Sequence, residues 1–553
     1  MSATSPDLFP SDGLRSLTAK EAMQRAKALN CTIPRDYKPS CSGQLFVGIF
    51  FDGTGNNLTA DYTELPAEKR KHTNVVKLFR AYRANPEKGY FSYYIPGVGT
   101  PFPEIGDDGG TLGSVGAWDG ENRIIWAFTR LLNAPNFYVN KGDLIPLTQA
   151  VNISNNLSSI GSPGMQRRMA LHYWQSKLAE ALKNKNPNIE QINLSVFGFS
   201  RGSAEARAFC NWLFEVCEKK GGGRLFAGIP IRIQFLGIFD TVASVGVANF
   251  FGNGIIEGHQ SWAANNMQVH PAIEQCVHYV AAHEVRACFP SDSARIGKSY
   301  PANVKEVVYP GAHSDVGGGY APNALGISPD PAEMMAIIPG VNMYKEALKA
   351  GVPLLVWGQL DPSQQGDFTP SGRVVAAFNG YLKDAAVGSG TVEEMHRKHM
   401  GLFFTYRYKY RSSLKSRVFY RRASNKDKNF LAMTEQTMLA RLKSLQYPEP
   451  VDSDRFDPRK AAQLQRQMMK AAGLESQQNN DVKTQELYKV IDSIDIGKLT
   501  ANIEQLFDEY VHDSVAGFGS MGVNEYDGSG VSLMKVGNGM GITRFRTIYF
   551  GNG

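Results

Sequence analysis

No run of eighteen apolar residues occurs anywhere in the 553-residue chain, so the sequence predicts no membrane-spanning helix. Cysteine is scarce: Cys31, Cys41, Cys210, Cys217, Cys276 and Cys288 are the six, and none stands in Cys-x-x-Cys spacing. That argues against metal and redox frameworks and leaves buried free thiols as the expectation, with a Cys31–Cys41 bridge open in an oxidising compartment. A dominant charge is lacking too, since 59 basic against 52 acidic residues give a net charge of +7. Such an excess permits an anionic partner without requiring one; no recognition motif accompanies it, and nucleic acid is not expected. The opening Met1-Ser-Ala-Thr-Ser-Pro-Asp7 has neither the basic nor the apolar region of a secretory signal, so export is expected to need other machinery.

What is present alternates between short apolar runs and small-residue loops. Leu45 to Phe51, Tyr90 to Ile95, Ile192 to Phe197, Ile229 to Phe239, Val277 to Ala282 and Val304 to Tyr309 read as strands, several of them buried on both faces. Helical spacing appears near 74–84, 121–132, 166–182 and 202–217, and residues 135–163 read as a loop or insertion. This βα rhythm predicts an α/β fold: a mostly parallel central sheet flanked by helices, α/β-hydrolase-like in order. Three regions are expected. Residues 1–43 form an N-terminal docking segment whose helix opens on a Thr18-x-x-Glu21 capping box, and residues 44–330 form the catalytic domain. Residues 331–553 form a mainly helical cap, helical near 331–349, 430–445, 458–472 and 498–511, with a polar linker at 477–482. Its last strand, Ile542 to Phe550, is expected to return to a sheet.

The chain is organised around Gly198-Phe-Ser-Arg-Gly202, a Gly-x-Ser-x-Gly turn between strand and helix. A sharp turn of that kind strains Ser200 and tolerates no bulk at Gly198 or Gly202. It exposes the Ser200 hydroxyl at the carboxyl edge of the sheet, beside the positive end of the next helix. A serine needs a base, and the base needs an acid to orient it. His313 follows the strand ending at Tyr309, and Asp240 follows the strand ending at Phe239, giving the chain order Ser200, Asp240, His313. Asp315 is the rival acid, read instead as supporting the His313 loop. An oxyanion needs two amide donors: Arg201 supplies one, and Gly53 or Thr54 in the loop after the first long strand supplies the other. Asp52 is read as tying that loop down; with Asp107 or Asp108 it lacks metal-ligand spacing, so neither metal nor cofactor is expected. His278, His283 and Glu284 form a local cluster read as packing or pairing at a surface.

Phe51-Asp-Gly-Thr-Gly-Asn-Asn57, Pro96-Gly-Val-Gly-Thr100, Gly198-Phe-Ser-Arg-Gly202, Phe239-Asp-Thr-Val242 and Gly311-Ala-His-Ser-Asp-Val-Gly-Gly-Gly319 occur in that order. In these motifs the chain resembles the catalytic domain of type VI secretion phospholipase effectors, within the first family of those lipase effectors. Tyr510-Val-His-Asp-Ser514 resembles a further motif of these effectors and suggests that the C-terminal part folds back on the catalytic domain. The resemblance implies a Ser-Asp-His triad hydrolysing acyl esters of membrane phospholipids. It also implies delivery by a spike or tube protein into a rival's periplasm, and a cognate immunity protein in the producer.

Two readings point beyond the triad. Phe403 to Arg411 alternates Tyr406, Tyr408 and Tyr410 with Arg407, Lys409 and Arg411, read as a strand with one aromatic and one basic face, suited either to a core or to lipid headgroups. The glycine-rich 247–262 segment, with Phe250, Phe251 and Trp262, reads equally as an apolar flap or as a loop tucked onto the core. A soluble esterase on small esters, and an inactive hydrolase fold docking on a secretion spike, stay open as alternatives.

Overall fold

Alternate residues of the long apolar runs enter two different cores, which is why the runs are continuous. Phe50, Phe197 and Phe235 belong to one core, whereas Leu45, Val47, Ile49, Phe51, Leu194 and Val196 belong to the other. The computed structural model describes residues 2–10, 13, 17–31, 42–110, 120–157, 164–243, 261–286, 289–444, 467–468, 489–517, 546 and 548–551. Its strands in chain order are β1 (Ala3–Thr4), β2 (Ser42–Phe51), β3 (Tyr90–Ile95), β4 (Asn188–Phe199), β5 (Glu218–Lys220) and β6 (Gly223–Phe226). They continue with β7 (Ile229–Phe239), β8 (Cys276–Ala281), β9 (Ser291–Ser293), β10 (Val304–Tyr309), β11 (Ser389–Gly390) and β12 (Ile548–Phe550).

Ten of these form one sheet in the order β11-β1-β10-β8-β7-β4-β2-β3, with the β5–β6 hairpin attached to β7. From β1 through β3 every pairing is parallel; β11 joins β1 antiparallel at the edge. Parallel neighbours need crossovers, and helices Asn74–Ala81, Gly120–Asn140, Gly164–Leu182 and Arg201–Val216 supply them. The fold is thus the α/β-hydrolase-like one expected. Because the strands run the same way, β2, β4, β7 and β10 all end at one rim, where Asp52, Ser200, Asp240 and the His313 loop emerge.

Described parts of the N-terminal and cap regions pack onto this body. Thr18 and Glu21 form the expected capping box on helix Ala19–Leu29. Phe9 is buried in the first core, its backbone bonded in both directions to the Asn379 side chain. Met335, Ile337 and Ile338 are core residues. Cys31 is an exposed free thiol, and Cys41 lies outside the described residues. So do most of the 247–262 segment, the 458–472 helix apart from residues 467–468, and the 477–482 linker.

Two expectations are corrected. Of the 135–163 stretch, the described residues are not a simple loop: helix Gly120–Asn140 runs on past Pro135, and Leu147–Leu157 is a second helix. Asn133 stitches the connector between them, bonding both the amide and the carbonyl of Ile145. The stretch 403–411 is not a strand but lies mostly in helix Val392–Lys409, capped by Thr391 and Glu394. Phe403, Phe404, Tyr406 and Tyr408 are buried on it, and an i,i+2 alternation on a helix covered on most sides carries no period-2 meaning. Arg407 pairs inside the protein, with Asp513 (2.5 Å) and Glu435 (2.7 Å), and the partly exposed Lys409 pairs with Glu504, which favours the core alternative for this stretch over lipid contact. The C-terminal strand does return to a sheet: among the described residues Ile548–Phe550 pairs in parallel with β9, in a two-stranded sheet apart from the main one.

Candidate functional site

Ser200 sits between β4 and helix Arg201–Val216 at φ 57° and ψ −125°, a region an L-residue occupies only under strain. The turn is this tight because the helix abuts the β2 end. A Cβ on Gly202 would lie 2.4 Å from the carbonyl oxygens of both Phe51 and Asp52, and one on Gly198 would lie 2.5 Å from the Gly202 oxygen. Backbone oxygens cannot swing aside as side chains do. Gly202→Ala is therefore expected to cost about 2–4 kcal/mol in denaturant unfolding; a midpoint equal to the parent's would contradict the packing described here.

Two bonds stitch Ser200 to the residues flanking Asp240. Its amide donates to the Phe239 carbonyl (3.0 Å), and its carbonyl accepts from the Val242 amide (3.2 Å). Of the two candidate acids, Asp240 is the one bonded to the imidazole, with His313 Nδ1 2.5 Å from Asp240 Oδ2. Asp315 instead accepts from the Ala312 amide (2.9 Å) and from the amide (3.0 Å) and Nδ1 (2.6 Å) of His512, bracing the loop that carries His313. Phe199 and Phe289 flank the imidazole, with ring centroids 4.6 and 5.0 Å away.

Charge around the pair is dense and buried. Burial works against the ionised Asp240, but the Arg546 guanidinium, followed by His313, holds its carboxyl well below the usual carboxylate range. Burial pulls the His313 basicity below its ordinary value, against the raising effect of Asp240. With Nδ1 committed to Asp240, such an imidazole is neutral near pH 7 and has Nε2 left to accept a proton. Glu284 is held down to about 2, its burial overcome first by Arg286, and it accepts from the His313 amide (3.3 Å) and the Ser514 hydroxyl (2.9 Å).

At the β2 end the two oxyanion candidates differ. The Gly53 amide already donates to Asp52 Oδ1 (2.8 Å), whereas Thr54 Oγ1 is buried without a hydrogen-bond partner among the described residues. Asp52 also accepts from Thr73 Oγ1 (2.7 Å) and the Tyr94 hydroxyl (2.6 Å), and burial pushes its carboxyl up to about 6. Asp107 pairs with Arg123 (2.8 Å), and among the described residues no group of three His, Cys, Asp or Glu side chains could hold a metal ion.

The sequence missed two features of this site. His278, His283 and Glu284 are not a surface cluster but are all buried. His278 Nε2 accepts from the Thr241 amide (3.2 Å) beside Asp240, and His283 Nδ1 accepts from the Gly311 amide (2.9 Å) in the His313 loop. The one available signal is position, since His278 lies in β8, the strand between β7 and β10, and His283 and Glu284 closely follow it. Arg546 falls within the expected terminal strand, and no local pattern announces a partner 306 residues away.

Sheet, elbow and rim define a protein of the α/β-hydrolase-like class. The family model described as type VI secretion system (T6SS) phospholipase effector, Tle1-like, catalytic domain, matches residues 47–222 and 217–346, together more than half of the chain. The chain belongs to that family of phospholipase effectors. Among solved structures it is similar to an uncharacterized protein from Pseudomonas aeruginosa, at 26% identity and a TM-score of 0.75, covering 100% of this chain and 85% of that one. A partial likeness, at 21% identity and a TM-score of 0.27, is to a Tle1 effector bound to the VgrG spike of the type 6 secretion system, over 52% of this chain and 53% of that one. No curated protein matches the chain.

Proposed function

We propose that the chain is a serine-dependent phospholipase of the A type, hydrolysing acyl esters of membrane glycerophospholipids, with residues 44–330 as its catalytic unit. The observation that carries this reading is the stitching of strained Ser200 to the residues on either side of Asp240, while Asp240 holds His313. Ser200 Oγ attacks the ester carbonyl carbon as His313 Nε2 takes its proton, and Asp240 keeps Nδ1 protonated and oriented. The amides of Arg201 and Thr54 hold the oxyanion; the Gly53 amide, bonded to Asp52, is the weaker candidate. The imidazolium then protonates the leaving lysolipid alkoxide, and water repeats the sequence in reverse on the acyl-Ser200 ester. Family membership supports carriage by a type VI spike or tube protein, action in a rival's periplasm and a cognate immunity protein.

Mass spectrometry of products from defined mixed-chain phospholipid vesicles tests the reaction. Wild type is expected to release one acyl position; equal rates on monomeric esters and on vesicles would instead favour a soluble esterase. The base adds a pH prediction. Burial lowers the His313 pKa below its ordinary 6.5, so its neutral form persists below that pH and is lost only as pH falls through the lowered value. The acidic limb of kcat/KM is expected to have its midpoint below 6.5, and a limb above 7 would contradict the assignment of the base.

A further inference from the structure

Asp240 is gripped from a part of the chain that no motif reaches. Arg546 is 1% exposed, and its guanidinium forks onto the carboxylate, Nη1 to Oδ1 at 2.9 Å and Nη2 to Oδ2 at 2.7 Å. The Ala281 amide also donates to Oδ1 (3.0 Å), and His313 Nδ1 shares Oδ2. Each oxygen therefore receives two donors, and the fork fixes the plane in which Oδ2 meets the imidazole. The arginine is itself held, Nε donating to the Phe289 carbonyl (2.6 Å). Two residues on, β12 pairs with β9 in the register Ile548–Ser291, Tyr549–Asp292 and Phe550–Ser293. β9 in turn is bonded to the loop after Asp240: the Asp292 amide donates to the Thr241 carbonyl (2.9 Å), and Asp292 Oδ2 accepts from the Ala243 amide (3.1 Å).

We infer that Arg546 is a positioning residue of the hydrolytic reaction: held beside the C-terminal strand, it sets the orientation of Asp240 and offsets part of the carboxylate charge that faces His313. This rests on the triad reading above. A guanidinium beside the carboxylate offsets part of the negative field that would otherwise draw a second proton onto the imidazole. The other ionisable groups acting on His313 include Glu284 and Arg286 after β8, of which Arg286 also lowers the imidazole's basicity, and His396 on the Val392–Lys409 helix lies near Asp240 and Arg546. Glu284 and Arg286 form a bidentate pair of their own (2.9 Å each), and burial takes His396 down to about 3, so Arg546 is the cation committed to Asp240.

The test measures kcat, KM and the acidic limb on dihexanoyl phosphatidylcholine, per active site counted by fluorophosphonate labelling, in full-length Arg546→Gln and Arg546→Lys. Arg546→Gln is expected to lower kcat about 10- to 100-fold with KM nearly unchanged, and to move the limb up by roughly half to one pH unit. Arg546→Lys keeps the charge but not the fork, so it should return the limb to the parent's position while recovering only part of kcat. A merely structural role would reduce the number of labelled sites and leave both the limb and the rate per site unchanged; that result overturns the inference. Should Arg546→Gln not fold, Arg546→Lys decides alone: parental kcat per site overturns the inference, and a several-fold loss with an unmoved limb supports it. Ser200→Ala runs alongside. Activity retained there defeats the triad reading itself, whereas an inactive Ser200→Ala beside a parental Arg546→Gln defeats only the role of Arg546.

Discussion

Ser200→Ala is expected to lower kcat on phospholipid vesicles by about 10⁵- to 10⁶-fold and to abolish fluorophosphonate labelling, while the protein stays folded. The size of the loss follows from the chemistry: without Oγ no acyl-enzyme forms, and what remains is water attack assisted by oxyanion donors and binding. The fold should hardly notice, because the hydroxyl makes no capping bond to its helix and the strained backbone is imposed by the Gly198 and Gly202 packing. Ser200→Gly sharpens the point. At φ 57° glycine is relieved of the Cβ penalty, so this equally inactive variant should unfold at higher denaturant than Ser200→Ala, by about 1 kcal/mol. A labelled, active Ser200→Ala would remove the nucleophile assignment, and an unfolded one would contradict the account of the turn.

How much of this could be read from the chain depended on how local each cause is. β3, β7 and β10 appear at the residues where their apolar runs were read, because a strand buried on both faces writes its own pattern. The rim followed from the same logic, since parallel strands end on one side and small residues mark the ends. The misreadings share a physical origin. Tyr406, Tyr408 and Tyr410 alternate with cations, but Arg407 meets Asp513 and Glu435 from segments more than twenty residues away, so its charge describes a buried network rather than a wet face. His283 looked like a surface residue because its partners, Tyr381 and the Gly311 amide, are likewise distant in sequence. Arg546 is the extreme case. A guanidinium in a strand suggests solvent until a buried carboxylate is known to await it.

That carboxylate makes Asp240→Asn the second large effect, one that reaches both catalysis and stability. An amide in its place sets an NH₂ at one oxygen position: at Oδ2 it faces both His313 and Arg546 Nη2, and at Oδ1 it faces Arg546 Nη1 and the Ala281 amide, so donors meet a donor either way. If the imidazole meets the NH₂, the wrong tautomer is favoured and kcat falls by about 10⁴-fold. Whichever way the amide turns, Arg546 remains buried without its counter-charge, a change expected to cost about 3–5 kcal/mol in unfolding. The two losses separate in a double-mutant cycle. Arg546→Gln on the Asp240→Asn background removes the uncompensated cation, so it should restore stability while leaving kcat low; the same substitution in the parent should lower both. Equal stability costs of Arg546→Gln on either background would mean that the two side chains are not coupled, and kcat for Asp240→Asn within ten-fold of the parent would mean that the acid lies elsewhere.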